Sequence, residues 1–391
     1  MSIFALKYLG FFLILTSSLS FFNIIYSYYF DILLNLNNYI ITFVFTLSLG
    51  FFFIIFKKYK FLKVSLYERI LTVLSGYFIL PVFISIPYYL SIDSLSLINC
   101  YFEAISGFTS TGFTTLENLS QIDPTIILWR SSSQWIGGLY FLFSILLLID
   151  IFDENLKKSL TNYISLNFSE IFKQTLKIII IYSTLTFIIF LLFKLINLRS
   201  FDAFNYALTI ISSGGFLPNN NLDINFSSDI SKIILSISML FSFFSLFFIF
   251  NLIFFKKKNI NYLSEDLNIL VYLILIIFIF FIFFNIDNNF LSILVAICSS
   301  VSNIGISLKD IPENLTFIFL LLVILGGSFF STSSGLRVIK VITLLKFSLN
   351  NLLSHSKPNQ IYSNKLSLNK ISASSSDINK YFLAIIIFIL S

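Results

Sequence analysis

Long apolar runs alternate with short polar connections along this chain, and the run lengths set the first expectation. A helix rises about 1.5 Å per residue, so about 20 apolar residues are needed to cross roughly 30 Å of hydrocarbon. Runs that meet this need are Phe4 to Phe30, Tyr39 to Phe56, Arg69 to Leu90, Ile126 to Ile151, Phe172 to Ile196, Ile230 to Phe255, Leu267 to Phe284 and Phe317 to Leu345. A ninth begins at Tyr381 and reaches Ser391. The first run lacks a small-residue cleavage site and stays apolar to Phe30, so it is read as a retained span and not a signal peptide.

Between spans a unit recurs: a semi-apolar stretch too short to cross, a turn rich in small residues, a polar loop, then another span. The turns are Thr109-Ser110-Thr111-Gly112-Phe113, Ser212-Ser213-Gly214-Gly215-Phe216 and Ser302-Asn303-Ile304-Gly305-Ile306. Irregular backbone at membrane depth must line protein or a water-filled path, because lipid satisfies no carbonyl or amide. Carbonyl oxygens can replace the hydration shell of an alkali cation, and glycine permits the backbone conformations that present them. Any one turn taken alone reads as an ordinary outer loop, where Gly and Ser are common. Three turns in equivalent places favour a cation filter.

Other polar residues are read with an alternative beside each. Glu103 and Asp202 precede the first two turns and either concentrate cations at an outer mouth or complement a short helix's dipole. The eighth span contains Gly326-Gly327-Ser328-Phe329-Phe330-Ser331-Thr332-Ser333-Ser334-Gly335, which favours an unwound, gate-like segment over a GxxxG helix contact. Trp129 and Trp135 are read as interfacial anchors, and Arg130 as a snorkelling or loop-pairing residue with no transport role.

Composition changes this picture little: 57% of residues are hydrophobic and 11% charged, with a mean hydropathy of +0.92, which excludes a water-soluble surface. The net charge of +6 follows topology-setting bases and not a nucleic-acid patch. Lys57, Lys58, Lys60 and Lys63, Lys157 and Lys158, Lys256 to Lys258, and Lys346, Lys357, Lys365 and Lys370 all follow even-numbered spans. The positive-inside rule then puts the amino terminus in the cytoplasm. Cys100, Cys298 and His355 do not form a metal-ligand set, and acids are scarce inside the spans, so catalytic residues are not expected. A broken-helix secondary transporter ranks second, because the spans hold almost no ionisable groups, and a membrane enzyme third.

The residues resemble the superfamily of Trk, Ktr and HKT potassium transporters, most closely the Trk membrane subunit. The resemblance is carried by Phe102 to Thr115, Leu128 to Leu139, Phe201 to Ala207 with Ser213 to Phe216, and Gly326 to Lys340. It implies an all-α integral membrane protein of helix–pore loop–helix units in pseudo-fourfold arrangement. The implied segments are a helix pair (1–63), a first unit (64–158), a second (159–258), a third with the intramembrane loop (259–356), and a linker with the start of a fourth (357–391). Family members continue through a complete fourth unit, whereas this sequence ends at Ser391, so a fragment or a pore completed by another chain is expected.

By resemblance, K+ binds at filter residues Thr109, Ser110, Thr111, Gly112, Ser213, Gly214, Gly215, Asn303, Ile304 and Gly305. The second filter glycine is Gly215, with Gly214 as an alternative. The gating loop comprises Gly326, Gly327, Ser328, Ser331, Thr332, Ser333, Ser334 and Gly335. No covalent cofactor is implied. The implied partners are K+, the lipid bilayer of a bacterial inner membrane, a second copy of the chain, and a cytosolic nucleotide-binding regulatory subunit docked on the basic loops near Lys157 and Lys346.

Overall fold

A computed structural model describes residues 3–55, 64–148, 171–219, 222–254, 264–284, 290–308, 315–356 and 375–390. The basic clusters at Lys57 to Lys63, Lys157 and Lys158, Lys256 to Lys258, and Lys357 to Lys370 lie outside the described residues. Two compact units divide the chain: Met1–Ile151 with Ser165–Ile234, and Phe152–Ile164 with Leu235–Ser391.

The first unit begins with a hairpin of α1 (Ile3–Tyr29) and α2 (Leu36–Ile55). A capping box starts α3 (Leu66–Ser91): Ser65 Oγ accepts from the Glu68 amide at 3.2 Å, and Glu68 Oε2 accepts from the Ser65 amide at 3.1 Å. Next come the short α4 (Leu97–Phe108) and the long α5 (Pro124–Leu147). Asp123 caps α5, with Pro124 in its first turn. The unit continues with the long α6 (Ile171–Leu195), the short α7 (Ser200–Ile211) and a single turn, α8 (Leu222–Asn225). At 12 residues, α4 and α7 reach only about 18 Å, too short to cross a bilayer.

α5 is the hub of this unit, packing on α1, α3, α4, α6 and α7. It is buried on nearly every side, including Arg130, Ser131, Ser132, Ser133 and Gln134. The long helices around it leave apolar side chains such as Val44, Phe45, Phe78 and Ile180 exposed, as suits a surface solvated by lipid.

Following α9 (Asp229–Phe243), the second unit holds α10 (Leu246–Ile253), α11 (Ser264–Phe284), α12 (Phe290–Ser302) and α13 (Thr316–Ile324). A two-stranded parallel ladder pairs Leu325 with Leu336 and Gly326 with Arg337, closing the loop between them. α14 (Val338–Ser356) and α15 (Ser375–Leu390) follow, joined through Leu344, Ile378 and Tyr381.

Five helices among the described residues are long and apolar enough to cross a membrane: Phe4–Tyr29, Leu36–Ile55, Leu66–Ser91, Lys173–Leu195 and Asp266–Phe283. One expected span differs from the sequence reading, and another is interrupted where the sequence places its unwound segment. Ile230 to Phe255 is not one helix but α9 and α10, broken at Phe244 and Ser245. Phe317 to Leu345 is interrupted by the small-residue loop. Both breaks lie in the second unit, and each satisfies the other's freed backbone groups. Ser328 and Ser333 amides donate to the carbonyls of Phe243 and Ser242 at 3.0 and 3.1 Å, and the Leu246 amide donates to the Phe330 carbonyl at 3.1 Å.

Candidate functional site

All three turns follow the C-terminus of a short helix (α4, α7 or α12) and close it in the same way. The amides of Thr111, Gly214 and Ile304 donate five residues back, to the carbonyls of Ser106, Thr209 and Ser299, at 2.9, 2.8 and 3.1 Å. Those of Ser110, Ser213 and Asn303 donate three residues back, to Gly107, Ile210 and Ser300, at 3.0, 3.1 and 3.2 Å. This pair of bonds is a Schellman closure, which requires a left-handed residue after the cap. Ser110, Ser213 and Asn303 supply it, with φ of 55°, 52° and 57°. A side chain at such φ costs of order 1–3 kcal/mol, so its recurrence three times marks a built feature.

Counting two residues onward from each left-handed position reaches Gly112, Gly215 and Gly305. Gly112 and Gly305 have φ of 83° and 77°, where any side chain would be strained. This register pairs Gly215, and not Gly214, with the other two glycines. Within the first unit a Cβ on Gly112 would lie 3.4 Å from the Gly215 Cα, whereas one on Gly214 would collide with the Gln134 side chain. Gly214 is thus small because α5 presses on it.

Hydroxyls tie the turns down. Ser106 Oγ and Thr209 Oγ1 donate to the carbonyls of Phe113 and Phe216, in each case seven residues ahead. Thr109 Oγ1 donates to the Ile105 carbonyl at 2.7 Å and lies 2.7 Å from Thr111 Oγ1. In the third turn both polar atoms of the Asn303 side chain are buried without a hydrogen-bond partner among the described residues.

α5 holds the first two turns from behind. Arg130 Nε donates to Glu103 Oε1 at 2.8 Å, with both side chains buried. Glu103 also accepts from Thr114 Oγ1 at 2.9 Å and from the Thr115 amide at 3.0 Å, fixing the strand that leaves the first turn. The guanidinium lies 4.1 Å over the Phe216 ring of the second turn. Gln134 packs one helical turn further along. With its amide oriented to match its neighbours, Oε1 accepts from the Gly215 and Phe216 amides at 3.1 and 3.2 Å, and Nε2 donates to Thr209 Oγ1 at 3.2 Å.

These contacts settle several sequence alternatives. Arg130 does not snorkel; it pairs with a buried acid. Glu103 is fully buried and outside the first turn of α4, so neither the outer-mouth nor the dipole reading fits it. Asp202 does lie in the first turn of α7, where an acid complements the dipole. Trp129 is not an interfacial anchor: it is buried, with Nε1 donating to the Ile84 carbonyl at 3.0 Å. Trp135 Nε1 donates to Thr186 Oγ1 at 3.0 Å. Sequence reasoning missed the bracing roles of Arg130 and Gln134, yet a signal existed: five consecutive polar residues, Arg130 to Gln134, inside an apolar span.

The loop from Gly326 to Gly335 is irregular and largely buried. Ser333 Oγ accepts from the Gly327 amide at 2.8 Å and lies 3.2 Å from Ser331 Oγ, while Thr332 Oγ1 donates to the Ser242 carbonyl at 3.4 Å. Arg337 Nη1 reaches back to the carbonyls of Gly327, Ser328 and Ser333 at 3.3, 2.9 and 3.2 Å. Phe329 and Phe330 are buried, the latter stacked on Phe247 at 5.2 Å, and Ser334 is exposed. Asp266 Oδ1 accepts from the Ser245 amide at 3.1 Å, satisfying a backbone donor freed at the break.

Long apolar helices, short helices with identically closed turns, and a buried polar brace define an all-α, multi-pass membrane transporter fold. No family model matches the chain. An uncharacterized cation transporter of Methanocaldococcus jannaschii is 29% identical over 273 residues, covering 67% of this chain and 55% of that protein. The Trk system potassium uptake protein TrkH of Salmonella typhimurium is 24% identical over 290 residues, covering 70% of this chain and 60% of that protein. The matches therefore span little more than half the length of these relatives. The crystal structure of the potassium transporter TrkH from Vibrio parahaemolyticus superposes with a TM-score of 0.81 at 20% identity, covering 99% of this chain and 83% of that one. The chain thus has the TrkH fold, and in sequence it is similar to Trk and other cation transporters.

Proposed function

We propose that the chain is a K+-conducting subunit in which carbonyls of Thr111 and Gly112, Gly214 and Gly215, and Ile304 and Gly305 replace the hydration shell of the ion. The observation that carries this reading is the threefold recurrence of one helix closure, with a glycine two residues past each left-handed position. The potassium named for the Trk relatives supports the choice of ion. K+ passes inward down its electrochemical gradient, and the loop from Gly326 to Gly335 gates it.

In the same proposal the segments are a helix pair (1–63), three helix–pore–helix units (64–158, 159–258 and 259–356) and the beginning of a fourth (357–391). The protein lies in a bacterial inner membrane with its amino terminus in the cytoplasm. It works as a homodimer with a cytosolic nucleotide-binding regulator.

The test is Gly112→Ser in a strain that lacks its own K+ uptake. The expected outcome is K+-dependent growth rescue by the unaltered chain and a lowered K+/Na+ preference in the variant, because φ of 83° disfavours serine. An unchanged preference refutes the filter assignment. Rescue that follows Na+ or other monovalent cations equally well replaces potassium with a broader cation specificity, the reading left open by the cation transporter of Methanocaldococcus jannaschii.

A further inference from the structure

We propose that Gln134 is a positioning residue for ion selectivity: its side-chain amide holds the second turn so that two successive carbonyls face one way. This inference rests on the potassium-filter reading above. In a trans peptide the N–H and the preceding C=O point in opposite directions, and there is no cis peptide bond among the described residues. Gln134 Oε1 accepts from the amides of both Gly215 and Phe216, at 3.1 and 3.2 Å. The carbonyls of Gly214 and Gly215 therefore both point away from Gln134. In an extended strand successive carbonyls alternate sides, so an unbraced segment does not keep this arrangement.

The brace is itself held. Nε2 of the same amide donates to Thr209 Oγ1 at 3.2 Å, and Thr209 Oγ1 donates to the Phe216 carbonyl at 3.0 Å. Thr209 and Gln134 are both fully buried, so water does not compete for these bonds. The absent side chain of Gly214 completes the fit, because a Cβ there would occupy the space of the Gln134 amide. Gln134 does not touch the ion in this scheme. It acts through the peptide planes, much as a bound metal's outer-shell partners orient its ligands.

The test compares K+/Na+ preference in Gln134→Met and Gln134→Glu. Preference is measured in two ways: as the ratio of concentrations that half-saturate uptake in cells, and as the ratio that half-maximally raises the melting temperature of the purified chain. Met fills the space but accepts nothing, so the ratio is expected to fall about tenfold, the equivalent of about 1.4 kcal/mol of lost discrimination. Glu still accepts from both amides, and its charge attracts K+ and Na+ alike, so its ratio stays closer to the unaltered chain's. A purely structural role lowers protein level or melting temperature and leaves the ratio in place, and that result overturns the proposal.

Equal losses in Met and Glu also overturn it. Should Gln134→Met fail to reach the membrane, Thr209→Val removes the hydroxyl that anchors Nε2, and an unchanged ratio there is equally fatal. Gly112→Ser separates the two levels. If it shifts the ratio while the Gln134 variants do not, the filter reading stands and the brace falls; if it does not, both fall.

Discussion

Breaking the Glu103–Arg130 pair tests whether α5 holds the first two turns. Glu103 has no exposed surface, and its carboxylate accepts from three donors: Arg130 Nε at 2.8 Å, the Thr114 hydroxyl, shared between the two oxygens at 2.9 and 3.0 Å, and the Thr115 amide at 3.0 Å. Glu103→Gln keeps the shape but replaces one acceptor with an NH2 group that faces donors, and it leaves the Arg130 charge without its counter-ion. Removing one partner of a buried pair costs about 3–5 kcal/mol. Replacing both with apolar groups of similar volume costs far less, so Glu103→Leu with Arg130→Met is expected to be more stable than either single variant. The assay is unfolding of the purified protein followed by tryptophan fluorescence, which reports directly because both tryptophans, Trp129 and Trp135, are on α5. Effects that add to within about 0.5 kcal/mol in the double-mutant cycle refute the argument, since independent sites behave that way.

Three further outcomes follow from the geometry. Gly137→Ala places a methyl group against the Phe108 carbonyl oxygen at the end of α4, and a lowered unfolding midpoint equivalent to about 1–3 kcal/mol is expected in the same assay. Arg337→Gln weakens the contacts to the Gly327, Ser328 and Ser333 carbonyls, so hydrogen exchange at the Ser328 and Ser333 amides should quicken about tenfold or more. Burial raises the Asp202 carboxyl above its ordinary value of 3.8, with the Arg199 charge opposing. The folded state then holds a proton that the unfolded state has released, so this group's contribution is present below the unfolded value and lost as pH rises through the folded one. Asp202→Asn should therefore flatten the acid-side dependence of the melting temperature.

Much of the architecture was legible because lipid imposes a simple rule: helices that cross it must be long and apolar. Five of the expected spans recur as helices of matching extent, and the three small-residue turns fall at the ends of the short helices α4, α7 and α12. The shared spacing was also in the sequence: Ser106, Thr209 and Ser299 precede Ser110, Ser213 and Asn303 by four residues, and those precede Gly112, Gly215 and Gly305 by two. The break at Phe244 and Ser245 was not legible, because a run of Phe, Ser and Leu is equally compatible with an unbroken apolar helix. It exists because the loop from Ser328 to Ser333 offers partners for the freed backbone groups.

The sequence by itself determined the solvent, the extent of five long helices and the places of the three small-residue turns, since each depends on the local run of residue types. Tertiary structure decided what the buried polar residues do. Arg130 could snorkel or pair, and Gly214 or Gly215 could share the register of Gly112 and Gly305. Only the packing of α5 against α4 and α7 brought Arg130 to Glu103 and Gln134 to the Gly215 and Phe216 amides. The physical reason is that a buried charge or amide is stable only beside its partner, and these partners lie 27 and about 80 residues away along the chain.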